Sequence, residues 1–63
     1  MKKIKVNIYT VMMTTSYDPG FYRCELVIAD SEDEAIRKVQ QLDDVEWFED
    51  FFAIDVITKT IRI

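Results

Sequence analysis

The stretch KIKVNIYTVMM (Lys3–Met13) alternates cleanly between two sides. Ile4, Val6, Ile8 and Met12 fall on one side with Thr10, while Lys3, Lys5, Asn7 and Tyr9 fall on the other, continued by Val11 and Met13. A period of two with many β-branched residues predicts a strand. The even-numbered side is the more evenly apolar, so it is expected to face the core. Everything else in the fold depends on that choice, because each later element must cover the side this strand turns inward.

A second run, Phe21–Ala29, repeats the pattern, with Tyr22, Cys24, Leu26 and Ile28 on one side and Phe21, Arg23, Glu25 and Val27 on the other. Between the runs, Asp18-Pro19-Gly20 predicts a type II turn, proline presetting φ and glycine accepting positive φ. Pairing Met13 with Phe21 sets Val11 against Arg23 and Tyr9 against Glu25. All even-numbered apolar residues then share one face of an antiparallel hairpin.

Ser31-Glu32-Asp33-Glu34 has the spacing of a capping box. Ala35, Ile36, Val39 and Leu42 follow as an apolar stripe at helical spacing, with Asp33–Arg37 and Glu34–Lys38 as i,i+4 pairs in the favourable order. Residues 53–63 are β-rich, but Ile54 and Val56 are out of phase with Ile57, Ile61 and Ile63, as either a bulge near Val56-Ile57 or a strand with apolar groups on both faces would explain. DDVEWFEDFF (43–52) fails as a strand because carboxylates share each phase with its apolar residues. As a short helix capped by Asp43 or Asp44, it directs Val45, Phe48 and Phe52 inward and leaves Trp47 and Phe51 as a neighbouring stripe. The expected fold is a single α+β domain over residues 1–63. It has a three-stranded antiparallel sheet of topology β-β-α-β and order 2-1-3. One main helix lies on one face, and a short second helix precedes the last strand.

The side opposite that helix is expected to expose Tyr9, Val11, Met13, Phe21 and Val27. Such an apolar patch predicts a homodimer or higher homo-oligomer, through this face or through an exposed strand edge.

Charge is segregated. Residues 1–29 carry +2, residues 30–55 carry −8, and residues 56–63 carry +2, for a net −4. The acidic block opposes nucleic-acid binding and suits either a solvated helix face or a basic protein surface. With one cysteine no internal disulfide forms, and Cys24, placed on the inward side, reads as a structural thiol. No apolar run reaches membrane-spanning or secretory length, so a cytoplasmic protein away from membranes is expected.

Catalysis finds little support. The chain has no histidine, no glycine-rich phosphate loop and no nucleophile elbow, and its acidic run lacks calcium-loop spacing. No catalytic residue, metal site or cofactor is expected. Two binding surfaces are. Asp44, Glu46, Trp47, Glu49, Asp50 and Phe51 form an acidic aromatic surface for a protein partner. Tyr17, Phe21, Tyr22 and Arg23, beside a loop longer than a hairpin requires, offer stacking and hydrogen bonds to a small nucleotide-like ligand.

The passage Tyr22–Leu42, whose strand and helix read VIADSEDEAIRKVQQL, resembles the strand-then-helix signature of small DpnD/PcfM-like proteins. Their E-S-E-E-E-A-I-x-K helix start is similar to Asp30–Lys38. The resemblance covers about a third of the chain and leaves out the aromatic stretch 43–52. It implies a phage or mobile-element setting without enzymatic activity, and carries over no functional residue. The leading expectation is a small protein that binds and blocks a host or defence protein through the acidic aromatic surface. An oligomeric nucleotide-signal sponge and a structural subunit are the alternatives.

Overall fold

The computed structural model describes residues 2–63. Strands β1 (Lys3–Thr14) and β2 (Tyr22–Ile28), helix α1 (Glu32–Gln40) and strand β3 (Asp50–Arg62) follow in that order. The sheet has the order β2-β1-β3, with β1 antiparallel to both neighbours. The α+β class, the antiparallel sheet and its order are as expected.

The faces are reversed. Tyr9, Val11 and Met13 are buried, and with Ala35 and Val39 of α1 and Ala29, Val45 and Phe48 of the connections they form the core. Val27, Ile36, Phe51 and Ala53 close its rim. The odd-numbered side of β1, expected to be open, therefore lies under the helix. The even-numbered side is left bare, with Leu26 71%, Ile28 52% and Ile57 50% exposed. Cys24 lies on this open side and is exposed. Both sides of β1 are apolar near the hairpin, so alternation alone does not decide between them. The decision falls to the helix, which can cover only the hairpin half of the sheet.

Register follows the same logic. Met13 pairs with Arg23 and Tyr9 with Val27, two residues from the expected pairing. A shift of two keeps each side chain on its own face. It frees Phe21 from the ladder to stack at 5.8 Å on the buried Phe48. The turn closes with the Phe21 N–H donating to the Asp18 carbonyl at 2.9 Å. No glycine has positive φ, so Asp18–Phe21 is not the expected type II turn.

The helix begins as its sequence requires. Ser31 Oγ accepts from the Glu34 N–H at 3.2 Å, and Glu34 reaches back to the Asp30 N–H at 3.3 Å. Glu34 pairs with Lys38, but Arg37 turns to the Asp33 carbonyl oxygen instead of its carboxylate. Lys38 Nζ also donates to the Ile28 carbonyl at 2.8 Å, fixing the helix to the end of β2.

The expected second helix is replaced by turns over 41–49. Phe48 N–H donates to the Val45 carbonyl, and Glu49 N–H to the Thr14 carbonyl at 2.9 Å, so the segment is bound to the sheet before a helix can propagate. Val45 and Phe48 do pack inward, but Phe51 takes the rim position expected of Phe52, which faces the open side. The bulge lies at Ile54, between Ala53 and Asp55, earlier than expected. It places Val56 beside Tyr9 and returns Ile57 and Ile61 to the open side.

Beyond the helix, β1 and β3 continue alone. Lys3–Asn7 pair with Thr58–Arg62 as a two-stranded ribbon with no β2 neighbour. The molecule is accordingly long, 49 × 20 × 15 Å.

Two substitutions test this arrangement in urea unfolding. Met13→Ala should cost about 2–5 kcal/mol through loss of buried contacts; a change within ~0.5 kcal/mol would place Met13 at the surface. A Cβ at Gly20 meets only Asp18 Oδ1 at 3.9 Å, so Gly20→Ala should stabilise by ~0.4–1 kcal/mol by restricting the unfolded chain. A type II turn would reverse that sign.

Candidate functional site

The hairpin end of the molecule carries an aromatic platform. Trp47, in the turns before β3, lies 4.6 Å from Phe48 and 5.1 Å from Phe21, ring centre to ring centre. Phe48 is core, while Trp47 and Phe21 remain 46% and 42% exposed. The pair is therefore held rigidly from below and presents one aromatic surface to solvent. Beside it Asp43, Asp44, Glu46 and Trp47 line a shallow groove of about 300 Å³.

The expected partner-binding residues separate into two groups. Trp47 and Glu46 are exposed and lie at the groove. Asp44 lines the groove too, but it pairs with Arg23 at 2.9 Å, which draws its carboxyl below the usual range. Asp50 begins β3 on the open side of the sheet, and Phe51 is half-buried against the core.

Glu49 is a structural clasp. Its Oε1 accepts from the Ser16 N–H at 2.7 Å, from the Ser16 hydroxyl, and from the Thr15 hydroxyl at 3.3 Å. These donors hold its carboxyl below the ordinary range, the Ser16 hydroxyl foremost. Thr15 Oγ1 accepts in turn from the Tyr17 N–H. The long hairpin loop is thereby tied to the segment that carries Trp47.

The residues expected to hold a small ligand do not form a receptive site. Arg23 pairs with both Glu25 and Asp44, which raise its pKa further and neutralise its field. Tyr17 and Tyr22 are exposed, 81% and 63%, with no stacking partner among the described residues. Phe21 serves the Trp47 platform instead. Of the expected oligomer face, Tyr9, Val11 and Met13 are buried beneath the helix, Val27 is partly buried against the core, and only Phe21 is exposed.

Sequence reasoning did not join Phe21 to Trp47 or include Asp43. The available signal was the surplus aromatic surface in 43–52, more than that segment buries alone, beside an aromatic residue immediately after Pro19-Gly20. A second hollow of about 270 Å³ lies between Glu32 and the bulge, lined by Tyr9, Ala53, Ile54, Asp55 and Val56. Among the described residues no group of three or more metal-ligating side chains converges, and no helix is long and apolar enough to cross a membrane. No protein-family model matches the chain, and neither a curated protein nor a solved structure matches it significantly.

The clasp has a pH signature. A carboxylate whose folded pKa is lowered contributes stability that is complete above its unfolded value, about 4.3 for Glu, and lost as pH falls through the folded value. Glu49→Gln should therefore lower Tm at neutral pH, and the gap to the wild type should close on acidification below about pH 4. A gap constant with pH would mean that the Glu49 charge contributes nothing.

Proposed function

We propose that this is a small non-enzymatic interaction protein that occupies a basic surface of another protein with its aromatic platform. The observation that carries this reading is the exposed Phe21–Trp47 pair, anchored on Phe48 and flanked by the carboxylates of Asp43 and Glu46. An immobilised aromatic surface loses little entropy on binding, and tryptophan is favoured where interface energy concentrates. Carboxylates beside it select lysine- and arginine-rich partners and speed encounter. Asp44 is already paired with Arg23, so Glu46 and Asp43 are the groups that would meet a cationic partner. The mobile-element setting implied by the resemblance makes a host or defence protein the expected class of target.

The test is capture from a host lysate by tagged wild-type protein and two variants. Trp47→Ala should weaken recovery of a captured basic protein at least ~10-fold, the scale of a single interface anchor. Glu46→Lys with Asp43→Lys should abolish recovery while leaving the circular dichroism spectrum unchanged. Equal recovery by all three proteins would remove the platform from any binding role.

A further inference from the structure

The open side of the sheet is a second surface, of different chemistry. Its centre is a row of three isoleucines aligned across the strands, Ile28 on β2, Ile8 on β1 and Ile57 on β3. On the ribbon side the next positions are Val6 and Lys59, then Ile4 and Ile61. On the hairpin side they are Leu26, Thr10 and Asp55, then Cys24, Met12 and, past the bulge, Phe52. Ile4, Leu26, Ile28, Phe52, Ile57 and Ile61 on this side are between 38% and 71% exposed, and apolar side chains gathered on one face in this way mark an interaction surface.

Among the described strand residues, charge on this side lies only along β3, at Asp50, Asp55 and Lys59. Asp55, Ile57 and Lys59 occupy successive positions of one face, reading negative, neutral, positive. Such a triplet is complementary to its own reverse. A twofold axis crossing the strands at the isoleucine row sets Ile57 against its counterpart and Asp55 against Lys59 of the second copy, twice. The same axis sets Ile4 and Ile61 of the ribbon over Met12 and Phe52 of the second copy. Two ribbons left without a third strand, which alone would be marginal, each gain a sheet to lie on.

We propose that two copies of this chain pack their open sheet faces together about this axis, forming an α/β/β/α sandwich with antiparallel facing strands. The sheets lie about 10 Å apart and within about 30° of alignment, as in aligned sandwiches. The interface is isologous, as a twofold dimer requires. It leaves both Trp47 platforms free, at opposite ends of the assembly, and so stands independently of the partner-binding role proposed for them.

Sedimentation equilibrium should give twice the chain mass of 7.5 kDa at tens of micromolar protein. Ile57→Arg with Leu26→Arg places charge on exposed positions and should give a folded monomer. Asp55→Lys alone should weaken the dimer at least ~5-fold, and Asp55→Lys with Lys59→Asp should restore it, since the swap recreates both cross-axis pairs. A wild-type monomer, a dimer that survives the double arginine variant, or a charge swap that fails to restore association would each overturn the proposal.

Discussion

A nine-residue helix is about 13 Å long at 1.5 Å per residue, whereas strands of twelve and thirteen residues extend about 40 Å. This mismatch governs the molecule. The helix covers one face at one end of the sheet, so the buried residues of β1 are Tyr9, Val11 and Met13 and none nearer its start. Beyond the helix's reach the same face carries Lys3, Lys5 and Asn7, with Thr58 Oγ1 donating to Asn7 Oδ1 across the ribbon at 2.8 Å. Polar residues there need no cover. Stability is therefore concentrated at the hairpin end, and the rest of the sheet is held by its ladder.

The turns over 41–49 supply what one short helix cannot. Val45 and Phe48 complete the core, the Glu49 backbone closes onto β1, and its carboxylate fastens the hairpin loop. Trp47 lies between these fixed points and inherits their rigidity. A segment with so many tertiary attachments resists regular helix formation, since each bond to the sheet fixes backbone that a helix would need. Its density of carboxylates is tolerated because the chain turns them outward while three neighbouring residues anchor it.

The three strands, the main helix and their order were legible in the sequence, because alternation and a capping sequence are local signals, whereas the short helix expected within 43–52 gives way to turns. Ser31 as the cap and Ala35 and Val39 as the inward stripe follow from spacing alone. What was not legible is which side of the sheet the helix takes. Ile4, Val6, Ile8 and Met12 outweigh Tyr9, Val11 and Met13 in any count of apolar residues along the strand. The count misleads because it weighs the ribbon equally with the body. Restricted to residues 8–14, the two sides are nearly equal, and packing decides. The same restriction explains the candidate site. Trp47 was recognisable as surplus aromatic surface, but its partner Phe21 depended on a register that only the finished hairpin fixes.

Sheet and helix layers also divide the chain's charge. The first turn of the helix carries Glu32, Asp33 and Glu34, and the platform adds Asp43 and Glu46, whereas the open sheet side holds acids only along its β3 edge. A net charge of −4 would oppose association if it were spread evenly. With two sheets packed face to face, the helix layers stand outermost, roughly 30 Å apart when successive layers lie ~10 Å from one another, which is several Debye lengths at physiological salt. Repulsion between the acidic layers is then screened, while the near-neutral sheet faces meet at contact distance. The arrangement that buries the apolar side is also the one that keeps like charges farthest apart, so the segregation along the sequence favours the same assembly as the self-complementary triplet on β3.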